Sequence, residues 1–219
     1  MKIIALPDLH NNRIGLLRIG NVLSKVDLVL LVGDLTNGEP IRDAIEVVQL
    51  VQRFNPSILA IPGNWDIPAV EEYLSQEKIN LHRRHIQLDG LILIGMGLSL
   101  PGIVPTPNEI TEAEFETFFT EVRADLEPDR PEILVCHQPP YNTRNDLAQG
   151  KIHVGSAAVR RFIEQQQPLI CFTGHIHEGI GMDTIGRTKI VNPGPLSEGN
   201  YAYAEVGKDG IQTVEILPI

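Results

Sequence analysis

The sequence is poor in the features that mark several specialised protein classes. It has only two cysteines, Cys136 and Cys171, in 219 residues, too few for a disulfide framework. Each lies in an apolar run and reads as a buried thiol, which suits a reducing cytoplasm; a Cys136–Cys171 bridge is the alternative. The longest uninterrupted apolar run, Leu28–Val32, is far short of the ~20 residues that span a bilayer. Met1–Leu6 stops at Pro7-Asp8, too short for the core of a signal peptide. Basic residues are in deficit, 18 Lys+Arg against 28 Asp+Glu, for a net charge of −10 and a pI near 5.1. General nucleic-acid coating, which needs Lys/Arg patches on phosphates, is therefore not expected. The expectation is a cytoplasmic protein without membrane attachment. What is present is ordinary for a globular chain: 42% hydrophobic and 21% charged residues. A chain of this length buries roughly 70–75% of its unfolded surface, enough for a core without staples.

Short apolar runs alternate with longer amphipathic ones, the pattern of an α/β protein. Strands are expected at Lys2–Leu6, Leu28–Val32, Ile58–Ile61, Leu91–Ile94, Ile133–Cys136, Leu169–Thr173, Lys189–Asn192, Tyr201–Val206 and Ile211–Leu217. Several are continuous Val/Ile/Leu stretches, as in a sheet covered on both faces. Leu16, Ile19, Leu23 and Val26 recur at helical spacing, as do Ile41, Ile45, Val48 and Val51. Val159, Phe162 and Ile163 mark a later helix with Ser156 as its N-cap. With no repeat and no low-complexity linker, residues 1–219 read as one domain.

Residues 98–131 break this rhythm as a loop–helix insertion. Pro101, Pro105 and Pro107 make Leu98–Asn108 a long loop, and Thr111 with Glu114 forms a capping box. Phe115, Phe118, Phe119, Val122 and Leu126 follow on one face. The other carries Glu109, Glu112, Glu114, Glu116, Glu121, Asp125 and Glu127 against Arg123. The simplest reading is a solvated acidic face; the alternative is a lid over a site.

The chemistry-bearing residues sit just after strands. Asp8 and His10 follow the first, Gly33-Asp34 the second, Gly63-Asn64-Trp65-Asp66 the third, His137 the Ile133 strand and Gly174-His175-Ile176-His177 the Leu169 strand. In α/β sheets the carboxyl ends of the strands share an edge where ligands collect. Taken singly, each residue reads as a satisfied core histidine or a loop-capping aspartate. Together they do not, since a Gly-His-x-His alone is expected only about 0.02 times by chance in this composition. Imidazoles with carboxylates and no sulfur suit Mn, Fe, Zn or Co. The set is too large for one tetrahedral ion and large enough for two, with a carboxylate able to bridge them. Two divalent ions outweigh the charge of two aspartates, so the site would attract a phosphate anion.

The order Asp8-x-His10, Gly33-Asp34, Gly63-Asn64, His137, Gly174-His175-x-His177 resembles the calcineurin-like metallophosphoesterases, and Asn192-Pro193-Gly194 is similar to a turn in their smaller bacterial members. The resemblance implies a four-layer αββα sandwich with a di-metal site at the carboxyl ends of the strands. It implies that Asp8, His10 and His177 hold one ion, that Asn64, His137 and His175 hold the second, and that Asp34 bridges both. Catalysis would then use hydroxide generated between two divalent ions, with Asp34, Asn64, Asp66 and His137 as catalytic positions. The substrate would be a small phosphate ester, a nucleotide or an aryl ester among them.

The sequence departs from the family at Trp65, where many members carry a histidine backed by the following Asp66. Indole N–H donates a hydrogen bond but delivers no proton near neutral pH. A good leaving group is the expected consequence, with Trp65 either packing or serving as an aromatic platform. His153 is a candidate for the missing acid and Arg144 for a phosphate contact, although a capping role and a solvated arginine are the simpler readings. His82 and His85, beside Arg83-Arg84, read as a polar turn before a strand. Cys136 should point away from His137 by strand alternation. A non-catalytic metal-binding scaffold of the same fold is the main rival; a nuclease is disfavoured by the acidic charge. Two-fold pairing is only a default expectation.

Overall fold

The computed structural model describes residues 1–126, 130–207 and 210–219; Glu127 of the acidic stretch lies outside them. The described strands are β1 (Lys2–Leu6), β2 (Leu28–Val32), β3 (Ile58–Ile61), β4 (Arg84–Leu88), β5 (Leu91–Met96), β6 (Glu132–Cys136), β7 (Leu147–Ala148), β8 (Ile152–His153), β9 (Ile170–Phe172), β10 (Gly181–Ile185), β11 (Thr188–Asn192), β12 (Asn200–Gly207) and β13 (Gly210–Pro218). The helices are α1 (Arg13–Leu23), α2 (Ile41–Phe54), α3 (Pro68–Gln76), α4 (Glu112–Asp125) and α5 (Ala157–Gln166). One sheet runs β13-β12-β1-β2-β3 and the other β10-β11-β9-β6-β5-β4. β1, β2 and β3 are parallel, as are β5, β6, β9 and β11. Antiparallel strands flank each parallel block.

Strand alternation builds the layers. Ile3 and Ala5 of β1, with Leu28, Leu30 and Val32 of β2, meet Leu93, Ile133, Val135 and Phe172 in a core between the sheets. The alternate residues, Ile4, Leu6, Val29 and Leu31, pack against α1, α2 and α3. On the far side, Ile94, Leu134 and Cys171 pack against α4 and α5. The order of layers is therefore helix, sheet, sheet, helix, as the resemblance implied. The central strands of both sheets are buried on both faces, which is why β2 and β6 carry no exposed residue. Cys136 joins the helix-facing core, away from the interior that His137 enters, and both cysteines are free, buried thiols that burial pushes up in pKa.

Four strands and a helix were not anticipated. β4 and β10 are edge strands with alternating or polar sequences, Arg-His-Ile-Gln-Leu and Gly-Met-Asp-Thr-Ile, lacking the continuous apolar run of a central strand. β7 and β8 are two-residue pairings within one loop. Helix α3 opens on Pro68 and buries Val70, Tyr73 and Leu74, a spacing that is readable but short. His82 corrects the polar-turn reading. It is buried, its Nδ1 accepts the Gly97 N–H at 2.8 Å, and burial with Arg83 and Arg84 holds it down to about 3, so it is a neutral structural group. His85 lies in β4.

Helix α4 has the anticipated capping box, Thr111 with Glu114. It packs on α5, with Phe119 stacked on Phe162 at 4.4 Å between centroids. Its acidic face is only partly solvated. Glu112 accepts hydrogen bonds from the Ser156 hydroxyl and the Ala157 N–H, both at 2.7 Å, at the start of α5, where the helix dipole favours a carboxylate. Glu116 pairs with Arg161 at 3.0 Å. Substituting Phe119→Ala should lower unfolding free energy by about 3–5 kcal/mol through lost burial and a cavity. The readout is a lower urea midpoint at unchanged slope; a shift equivalent to less than about 1 kcal/mol would contradict this account of the α4–α5 layer.

Candidate metal centre

Of the five loops at the carboxyl ends of β1, β2, β3, β6 and β9, the first is joined to the second and the fourth to the fifth by backbone hydrogen bonds. Asp8 N–H donates to the Gly33 carbonyl at 3.0 Å and His10 N–H to the Asp34 carbonyl at 2.9 Å, continuing the β1–β2 ladder beyond the sheet. Gly174 N–H reaches the His137 carbonyl at 3.2 Å. Asp8, His10, Asp34 and His175 all adopt positive φ, between 44° and 65°. Such backbone is costly for residues with a Cβ and persists only where surrounding structure enforces it. Two glycines let the loops close. A Cβ on Gly33, which has φ of +87°, would sit 2.4 Å from the His137 ring, and one on Gly63 would sit 2.1 Å from the Asp34 carboxylate.

The side chains converge as two overlapping groups, Asp8 with His10 and His177, and Asp8 with Asp34 and His137, each with ligand atoms within 4.8 Å of one another. Oδ1 of Asp34 accepts the Trp65 N–H at 2.8 Å. Its Oδ2 lies 3.7 Å from His10 Nε2 and 3.5 Å from His137 Nε2, between the two groups. His10 Nε2 and His177 Nε2 face each other at 3.2 Å, and His10 Nδ1 is buried with no partner. His137 Nδ1 is 2.8 Å from the Val32 carbonyl, which assigns the proton to Nδ1 and turns Nε2 toward Asn64 Oδ1 at 3.0 Å. His175 donates its backbone N–H to Asp8, and its ring lies 5.3 Å from that of His137.

This arrangement suits cations. Asp8, Asp34, Asn64 and His137 are almost wholly buried, and a buried carboxylate without compensating charge costs several kcal/mol. Burial alone would depress His137, but Asp34 and Asp8 outweigh it and draw the imidazole up to about 9. Asp34 in turn is held below the usual carboxylate range, its burial outweighed by His137 and His10. His175, lowered to about 4 by burial and His137, stays a neutral donor. The nitrogen and oxygen donors and the facing imidazoles of His10 and His177 fit divalent metal ions.

Asp66 stands apart from the cluster. Its buried carboxylate accepts from the N–H groups of Gly63, Leu35 and Thr36 and from the Thr36 hydroxyl, at 2.8 to 3.1 Å. Burial and Asp34 push it up to about 6. It binds the Asp34 loop to the Asn64 loop, an engagement that its expected catalytic place did not anticipate. Trp65 is 37% exposed. His153 turns Nδ1 to the buried Asp146 at 2.7 Å, and Arg144 is an exposed residue whose backbone N–H donates to Asp183. Neither belongs to the two ligand groups. The Asn192-Pro193-Gly194 turn does serve the centre, since Asn192 Nδ2 donates to the Ile176 carbonyl between His175 and His177.

Two positioning residues carried no sequence signal. Asn108 donates its N–H to the Asn64 carbonyl and its side-chain amide to the Asp66 carbonyl, at 3.0 and 2.7 Å. Gln138, beside His137, accepts the Leu100 N–H and donates to the Val154 carbonyl. The Leu98–Asn108 loop therefore braces the centre, while α4 covers the outer face of the second sheet.

A family model described as calcineurin-like phosphoesterase matches residues 1–179. The chain belongs to that family. This phosphoesterase is 34% identical over 203 residues to an uncharacterized protein of Methanocaldococcus jannaschii, MJ1162, covering 90% of this chain and 89% of the relative. Its fold matches that of TT1561 of Thermus thermophilus with a TM-score of 0.76 and 19% identity, over 99% of this chain and 98% of that one. A structure of a novel archaeal phosphodiesterase matches with a TM-score of 0.56 and 14% identity, over 100% of each chain. At these identities the structural likeness is one of fold. Family membership makes the protein a metal-dependent hydrolase of phosphoesters. Among its described residues no helix is long and apolar enough to cross a membrane.

Substituting Asp66→Asn places an amide N–H against donor groups and should destabilise the protein by about 2–3 kcal/mol, read by urea denaturation. An unchanged midpoint would show that the Asp66 bonds do not hold the two loops together.

Proposed function

We propose that this phosphoesterase hydrolyses a small phosphomonoester or phosphodiester whose leaving group departs without a strong proton donor. Asp8, His10 and His177 would hold one divalent ion and Asn64, His137 and His175 a second. Asp34 would bridge them, a reading supported by its Oδ2 lying between His10 and His137. Mn, Fe, Zn and Co all suit this nitrogen and oxygen donor set. Bound divalent cations supply Lewis acidity and bring the pKa of water toward neutrality. The chain's part is to hold the ligands in place before substrate arrives: Val32 orients His137, Asp66 couples two loops, and Asn192 positions the Gly-His-x-His turn.

The leaving-group preference rests on position 65. The half-exposed indole of Trp65, next in sequence to Asn64, would offer an ester an aromatic face and an N–H donor but no transferable proton. General acid catalysis contributes ~10²–10⁴-fold, and its loss is felt most with alkoxide leaving groups. Aryl esters meet this limit. Arg144 and His153 are proposed only as outer contacts, since the Arg144 backbone is tied to Asp183 of β10 and His153 to Asp146 of its own loop. With a net charge of −10, a nucleic-acid polymer is a poor candidate partner.

The experiment is a panel of aryl and alkyl mono- and diesters assayed after stripping metal and restoring Mn, Fe, Zn or Co singly. Turnover of aryl esters with at least one metal is expected; tight metal without turnover would favour a binding scaffold. Asp34→Asn should reduce activity and metal content more than Asp8→Asn, because it weakens both ions, and equal losses would contradict the bridging role. Trp65→His should raise alkyl-ester turnover relative to aryl-ester turnover by about tenfold or more, on the order of one recovered acid. An unchanged ratio would show that position 65 does not set leaving-group preference.

A further inference from the structure

Among the described residues, six of the nine large apolar side chains that stand exposed belong to the edge that carries the metal ligands: Trp65, Ile103, Val104, Tyr141, Ile152 and Met182. Ile103 is completely exposed and Val104 66% exposed, at a tip bracketed by Pro101 and Pro105. Proline stiffens such a tip and removes the backbone freedom that would let it collapse. The loop is anchored at the centre, through Asn108 to Asn64 and Asp66, and through Leu100 to Gln138. Tyr141 and Ile152 stand on the next segment, between His137 and α5, which Gln138 ties to the same loop. Met182 is the second residue of β10, just beyond the His177 turn. Scattered exposed hydrophobes need no explanation, but a set gathered on loops that surround one site does.

Building on the phosphoesterase reading above, we infer that the ester carries an extended apolar group, an alkyl chain or a large ring system, which this rim receives. Apart from Met182, the rim residues stand on the loops that carry Asn64 and His137 and on the Leu98–Asn108 loop that braces them. The rim's natural occupant is thus attached to the phosphate bound there, whereas a protein seated on the same edge would close the site to substrate. The chain's net charge of −10 repels anionic bilayers, so the ester is taken as a dispersed molecule. Trp65 and the Ile103–Val104 tip provide the two apolar contacts, one beside Asn64 and the other farther out.

Alkyl 4-nitrophenyl phosphodiesters test this with a constant leaving group and a varying retained chain. KM should fall about 30-fold from methyl to octyl, the equivalent of two to three methylenes leaving water. Trp65 is the only tryptophan, so its emission supplies a readout without turnover. Octyl phosphonate should shift it to the blue and bind more tightly than methyl phosphonate by a similar factor. The double variant Ile103→Ser with Val104→Ser should shrink the octyl-to-methyl ratio by about fivefold or more in both measurements. Ile14→Ser, exposed on α1, should leave that ratio unchanged. Equal KM and equal affinity along the series, or an equal effect of Ile14→Ser, would overturn the inference. If no ester turned over with any metal while octyl phosphonate still bound better, the catalytic reading would fail and the apolar rim would stand. Turnover without chain-length dependence would do the reverse.

Discussion

The structure turns on one buried carboxylate. Asp34 places one oxygen on the Trp65 N–H and aims the other between His10 and His137. Both contacts require the β2, β3 and β6 loops to approach within van der Waals limits, and Gly33 and Gly63 permit that approach. A wider separation would leave Asp34 buried without its partners, at a cost of several kcal/mol. Asp34 and Asp8 draw His137 up to about 9 in spite of its complete burial. The centre is a place prepared for positive charge.

That preparation is sustained by the layers beneath it. Left-handed backbone at Asp8, His10, Asp34 and His175 costs on the order of 1–3 kcal/mol at each position. Against it stand the inter-sheet core and two helix-facing cores, whose fully buried side chains contribute roughly 1.5–3 kcal/mol each. The strain is located at strand ends, where the ladder stops and the chain must turn. Asp66 and Asn192 convert the rigidity of the sheets into fixed loop positions by hydrogen bonds to neighbouring backbone. Preorganisation of this kind spares the protein the work of gathering ligands when a phosphoester arrives.

The central strands were legible because double-sided burial forces continuous apolar runs, as in Leu28–Val32. Edge strands β4 and β10 were not, since a strand paired on one side tolerates the polar residues that also make loops. The clustering of these side chains was legible for a related reason: in parallel sheets every strand ends at the same edge, so residues remote in the chain are neighbours by topology. His82 shows the opposite case. Its local sequence is as polar as a surface turn, yet the fold wraps Gly97 over it and leaves a neutral acceptor in the interior. Asp66 likewise sits within the family motif, and only the positions of Leu35 and Thr36 reveal that its carboxylate is spent on holding loops.

By itself, the order of residues determined the layered α/β architecture, the edge on which chemistry collects and the identity of the side chains gathered there. These follow from periodicity and strand direction, which are local properties that add along the chain. Tertiary structure decided which carboxylate faces the cluster and which clamps its loops, which imidazole nitrogen is free, and where the proline-bracketed apolar tip stands. Those outcomes depend on distances of a few ångströms between segments far apart in sequence, where packing and hydrogen-bond geometry have no counterpart in local pattern.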